Sequence, residues 1–167
     1  LLCLLACLPG CGATQQAQIA ATTLPVYQFT SRLCEGTDLT VTRLVTDSIS
    51  CLHDYSLNVS QVKALEAAEL TVISGAGLEE SMEDILCKSN RIVDCSADVP
   101  LLSCKEGDHV HEQEHHQEQE HHHEQDPHIW LSPVHAAEMA VNIFDGLSEQ
   151  YPQYRAAFET NLRQLLP

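Results

Sequence analysis

Positive charge is what this sequence has least of. Only 8 lysines and arginines stand against 24 aspartates and glutamates, a formal net charge of −16 over 167 residues. Nucleic acid is excluded as a partner, because phosphates need a basic face and none is offered. The one markedly apolar run, Leu1 to Leu8, is too short to span a bilayer. No Cys-x-x-Cys spacing occurs, which argues against a zinc ribbon or a thioredoxin-like centre. No nucleophile motif accompanies the available carboxylates, so a hydrolase has little to stand on. An initial methionine is missing too, and the last residues, Leu165-Leu166-Pro167, stop inside a helical pattern. The chain therefore reads as a fragment cut at both ends.

What the sequence has in excess is histidine, and it is concentrated. His109, His111, His115, His116, His121, His122 and His123 lie among glutamates and glutamines. About a third of the acidic residues fall between Glu106 and Asp126, so much of the charge belongs to this tract. Apart from Val110 it has no apolar residue, and it cannot build a core. Imidazole is a common ligand for borderline metals such as zinc, so residues 106–125 read as an acidic, metal-collecting loop. The plain alternative is a solvated acidic loop. A zinc-protease helix is disfavoured, because the His-Glu-x-x-His pattern does not organise the tract.

Leu1 to Leu8 looks like the tail of a signal-peptide apolar region. Leu8-Pro9-Gly10-Cys11 resembles a lipobox, with Cys11 as the lipidated residue; Leu4-Leu5-Ala6-Cys7 makes Cys7 the alternative. Residues 1–11 are then a signal remnant and 12–17 a tether. Export permits disulfides. Of eight cysteines, five lie beyond the signal region: Cys34, Cys51, Cys87, Cys95 and Cys104. The odd number leaves at least one thiol unpaired, and the pairing cannot be read from spacing.

Between tether and tract, strand and helix signals alternate. Gln18 to Thr22 reads as a buried strand. Leu24-Pro25 opens a helix, with Val26, Phe29 and Leu33 on one face. Leu39 to Val45 is a second strand, and Thr46 to Leu57 a loop. Asn58 and Gln61 form a capping-box pair ahead of Val62, Leu65 and Ala68. Leu70 to Ser74 is a β-rich run suited to burial on both faces. A turn at Gly75-Ala76-Gly77 precedes a helix over Leu78 to Cys87, then a strand at Arg91 to Asp94. Beyond the tract, Ser132-Pro133 caps a helix striped by Ala136, Ala140, Ile143, Phe144 and Leu147. Pro152 interrupts it, and Tyr154, Phe158, Leu162 and Leu165 begin another. The pattern predicts an α/β fold: a four-stranded, largely parallel sheet with helices on both faces.

Ligands of such sheets bind beyond the carboxyl ends of the strands. His53 follows the second strand and His128 the fourth, so both belong at that edge, beside the histidine-rich loop.

Three stretches carry a family resemblance: His53-Asp54-Tyr55, Ala68 to Glu79, and Asp126-Pro127-His128-Ile129-Trp130-Leu131-Ser132-Pro133. With these the chain resembles the metal-binding receptors of zinc and manganese ABC importers, the TroA-like solute-binding lipoproteins. The resemblance covers roughly Gln18 to Pro167. It implies a two-lobe receptor with metal held between the lobes. Residues 18–150 would be the N-terminal lobe and 151–167 the start of the linking helix, with the C-terminal lobe absent. It also implies His53 and His128 as metal ligands, the rest of the site coming from the other lobe. Leu52 stands where the family usually has proline, and His135, in the first turn of its helix, reads more easily as capped or exposed than as a ligand.

The expected activity is capture of Zn(II), with Mn(II) less favoured because imidazole suits zinc. Delivery would be to an ABC permease with its ATPase. The expected location is that of an exported bacterial lipoprotein, on the outer face of the cytoplasmic membrane or in the periplasm. A manganese receptor or metal-dependent adhesin of the same fold, and a histidine-rich zinc buffer, are the alternatives. No catalysis is expected.

Overall fold

The computed structural model describes residues 17–46, 55–103 and 125–166. His53, the seven histidines from His109 to His123, and the lipobox cysteines Cys7 and Cys11 lie outside them, as do Cys51 and Cys104.

Four strands form one parallel sheet: β1 (Ile19–Ala21), β2 (Val41–Arg43), β3 (Leu70–Ile73) and β4 (Ile92–Asp94), in the order β2-β1-β3-β4. β1 and β3 are central, and Leu70 and Val72 are fully buried, as the β-rich run at Leu70 to Ser74 predicts. The helices are α1 (Leu24–Leu33), α2 (Val59–Ala67), α3 (Glu83–Leu86), α4 (Pro133–Gln150) and α5 (Arg155–Leu165).

A parallel sheet must be covered on both faces, and the two-residue period of its strands sorts the cover. Ile19 and Ala21 point into one apolar cluster, filled by Val26 and Leu33 of α1, Met139, Ile143 and Leu147 of α4, and Phe158 of α5. Ala20 points into the other, with Leu65 of α2, Met82 and Leu86. Both faces carry helices, as expected from the alternation of elements.

Local chemistry sets the helix ends. Asn58 accepts from the amides of Ser60 and Gln61, and the Gln61 side chain accepts from the Asn58 amide, completing the capping box read from sequence. Ser132 caps α4 with Pro133 following it. One expected helix is cut short. Leu78 to Cys87 gives a turn, a 3-10 segment at Glu80–Met82 and the single turn of α3. The Glu79 side chain reaches back to the amides at the end of β3, and regular helix begins only after Met82. The second strand is also shorter than Leu39 to Val45, although Leu44 and Val45 continue its hydrogen bonds to β1.

Cys34, Cys87 and Cys95 are free thiols. Burial pushes Cys34 up to about 12 and raises Cys95 too, so both behave as small apolar core residues.

α4 runs antiparallel to β4 and begins at the carboxyl edge of the sheet. Asn142 donates to the carbonyls of Cys95 and Ala97 at 2.9 and 2.8 Å. One turn later Gly146 meets β4 so closely that a Cβ would lie 2.3 Å from Val93 Cγ2. Replacing Gly146→Ala should therefore destabilise the fold by about 1–2 kcal/mol despite alanine's better helix propensity, because the overlap outweighs it. In a Val93→Ala background the same change should become stabilising. Urea midpoints of the four proteins measure this coupling, and additive effects would contradict the proposed steric contact.

Candidate metal centre

The chain turns from β1 to β2 on one side and crosses back to β3 on the other, so the carboxyl ends of β1 and β3 form the switch point of the sheet. Strands that end here leave amides without ladder partners. Glu79 supplies the acceptors. Its carboxylate receives the Thr22 hydroxyl at 2.6 Å, the Ser74 amide at 2.8 Å and the Gly75 amide at 3.0 Å. Thr23 and Ser74 hydroxyls meet at 2.9 Å beside it. Burial raises the Glu79 carboxyl against the lowering effect of its three donors, and nearby Asp94 adds to the rise. Gly75, at φ +77°, has no room for a side chain: a Cβ would fall 1.8 Å from Asp94 Oδ1.

On one flank, buried Gln61 donates through Nε2 to the Leu44 carbonyl at 2.6 Å and to the Tyr55 hydroxyl at 2.7 Å. These contacts tie the end of β2 to the start of the segment leading into α2.

On the other flank stands His128. Asp126 Oδ1 accepts from the His128 amide at 2.9 Å and lies 2.8 Å from its Nδ1. Those two interactions, the amide first and the ring second, hold the Asp126 carboxyl below its ordinary value. An ionised carboxylate only accepts, so Nδ1 carries a proton, and in the neutral ring Nε2 is then the nitrogen with the lone pair. This is the arrangement by which an outer carboxylate orients a metal-binding imidazole. Trp130 limits the ring on another side, its centroid 5.2 Å away. The His128 side chain is 47% exposed, so its free nitrogen is accessible.

Asp126 also fixes the end of the histidine-rich insertion. Its amide donates to the Leu102 carbonyl at 2.9 Å, and Ser103 pairs with Gln125 in an antiparallel bridge. Ser103 and Gln125, which flank residues 104–124, are thus held together in the segment that leads to His128. His135 lies on the first turn of α4, and Ser132 Oγ caps its amide at 3.5 Å.

The expected pair of ligands is thus described on one side only, His128 at the carboxyl edge and His53 outside the described residues. Among the described residues no three His, Cys, Asp or Glu side chains converge to hold a metal by themselves. Sequence reasoning missed Glu79 as the edge anchor. Its signal was a carboxylate shortly after Ser74-Gly75-Ala76-Gly77, where exposed strand-end amides need an acceptor.

Residues 19–166 match the family described as "ZnuA: Zinc-uptake complex component A periplasmic". The chain belongs to this family. Among curated proteins it is similar to the zinc-binding lipoprotein AdcA of Streptococcus pneumoniae serotype 4, 32% identical over 165 residues, covering 95% of this chain and 32% of that protein. It is also similar to the high-affinity zinc uptake system protein ZnuA of Yersinia pestis, 30% identical over 128 residues, covering 67% and 40% of the two chains. Among solved structures, Zn(II)-bound AdcA from Streptococcus pneumoniae superposes with a TM-score of 0.71 at 27% identity, covering 90% of this chain and 30% of that one. The chain spans about a third of the length of the AdcA proteins it matches.

The ZnuA-family switch point yields a test of its own. Glu79→Gln places a donor NH2 among three donors and should cost about 1–3 kcal/mol. A carboxyl raised in the folded state contributes stability that is full below its ordinary value of 4.5 and is lost as pH rises through the raised value. The gap between wild type and Glu79→Gln should therefore narrow as pH rises. Urea unfolding of both proteins from about pH 4 to about pH 8 measures it, and a widening gap would reverse the sign of the shift.

Proposed function

We propose that this chain forms the N-terminal lobe of an extracytoplasmic solute-binding protein that captures Zn(II) and delivers it to an ABC importer. The observation that carries the reading is the Asp126–His128 pair: a carboxylate holds Nδ1, and Nε2 is left accessible at the ligand-binding edge of the sheet. Membership of a zinc-uptake family supports zinc over manganese, and so does the chemistry of imidazole.

His53 is the second ligand from this lobe. It follows β2, and the flanks of its segment are joined through Gln61. The remaining ligands come from a second lobe, completing a site that is nearly tetrahedral, with zinc–nitrogen distances of about 2.0–2.1 Å. α5 is the start of the helix that links the lobes. The work is capture and release, not turnover, and zinc is the cargo.

His109, His111, His115, His116, His121, His122 and His123 collect zinc weakly at high local concentration. Both ends of their segment are fastened beside His128, so tethering supplies the effective concentration for transfer. The protein is an exported lipoprotein anchored through Cys11, or through Cys7, at the outer face of the cytoplasmic membrane or in the periplasm. Its partners there are the permease and ATPase of the importer.

Zinc titration against a competing chelator tests this in the full-length protein. His53→Ala combined with His128→Ala should abolish one tight equivalent, while deletion of residues 108–125 should remove only weak ones. Asp126→Asn, which lets the ring choose either tautomer, should weaken tight binding by about 10–100-fold. Affinity should fall as pH drops through the histidine range, since protons compete for the same lone pairs. A double variant that binds zinc like wild type would make both histidines structural and overturn the receptor reading. Unchanged uptake by the deletion variant at limiting zinc would overturn the transfer role of the tract.

A further inference from the structure

His128 does not stand alone in its recess. A cavity of about 260 Å³ opens between the first turn of α4 and the segment leading to it, and His135 lines it together with Asp126 and His128. Leu102, Ile129 and Leu131 make up most of the remaining wall. Two imidazoles and one carboxylate therefore share a recess whose other walls are Ser132 and three apolar side chains. Leu102 and Asp126, on either side of residues 103–125 in sequence, are both wall residues and hydrogen-bonded partners.

We propose that His135 is an entry ligand for zinc, a waypoint that holds the incoming ion before His128 draws it into the tight site. The inference rests on the receptor reading above and adds a residue to it. Three observations support it. The cavity admits a hydrated ion: at about 30 Å³ for each water, six waters need about 180 Å³. The donor set is incomplete: among the described residues no three His, Cys, Asp or Glu side chains converge to hold a metal. The positive end of the α4 dipole faces the same recess and opposes a dication, with Asp126 offsetting it. A site with few ligands and opposing fields binds weakly and exchanges quickly, which suits passage and not storage.

The test is stopped-flow zinc binding by the full-length protein with His135→Ala and with His135→Gln, beside equilibrium titration and thermal unfolding. Either variant should keep the tight dissociation constant within about twofold, keep its melting temperature, and bind zinc at least about fivefold more slowly. In a His128→Ala protein, sub-stoichiometric zinc should shift the imidazole NMR signals of His135. Association at the wild-type rate in both variants would overturn the inference. So would loss of the tight equivalent in His135→Ala, which would make His135 part of the tight site. The parent reading fails separately: it falls if His53→Ala with His128→Ala keeps the tight equivalent, whatever His135 does.

Discussion

A parallel sheet ends all its strands at one edge, and every strand end there leaves backbone amides that the ladder no longer satisfies. This constraint organises the molecule. Side-chain oxygens answer it repeatedly: Glu79 for Ser74 and Gly75, Ser96 for Ala76, Asp94 for Ser96; Asp126 does the same for His128 in the segment before α4. Each of these is worth about 1 kcal/mol as a net hydrogen bond, and more as a buried group that would otherwise be orphaned. The same acceptors leave a polar, carboxylate-rich edge on an apolar body. An imidazole placed at that edge finds an acceptor for one nitrogen and solvent for the other, and His128 is in that position.

Packing explains why the edge is stable enough to carry a site. α1, α4 and α5 bury one face of the sheet and α2 and α3 the other, so β1 and the first three residues of β3 are buried. α4 is drawn tight to β4 by the Gly146 contact and by Asn142 on the Cys95 and Ala97 carbonyls. α5 is fastened to α1 by Asn161, which donates to the Leu33 and Glu35 carbonyls, and by Phe158 in the core. The first turn of α4, with His135 on it, is therefore positioned by the far end of the same helix. A residue such as Gly146, well removed from any ligand, contributes to the geometry of the recess.

Much of this was legible in the amino-acid order. The Asn58–Gln61 pair, the Ser132-Pro133 start and the apolar run at Leu70 are local signals, and local physics decided them. The alternation of elements then forced the parallel sheet with two covered faces. The helix expected at Leu78 to Cys87 shows where such signals stop. Its apolar spacing was helical, but Glu79 had a stronger demand 4–5 residues back along the chain, in the amides of Ser74 and Gly75. Long-range pairs were illegible for a related reason: nothing local marks Gln61 as the residue that meets both Leu44 and Tyr55, or Asp126 as the one that meets Leu102. His135 illustrates the same limit from the other side. Its helical position predicted a capped amide, which it has, while its place in a cavity with His128 depends on how the preceding segment folds back.

A capture site for zinc must bind tightly and still fill quickly, and these demands conflict at a single centre. Full tetrahedral coordination removes every water from the ion, and each removal slows entry. Dividing the task relieves the conflict. In the receptor proposed above, the histidines set among glutamates gather the ion, since neutral imidazoles bind it and carboxylates raise its local concentration. The recess lined by His128 and His135 is the proposed place where part of its hydration is lost. A ring already locked by a carboxylate then takes it with no further loss of rotamer freedom. Among the described residues the ring that a carboxylate holds is that of His128, and the proposed route ends there.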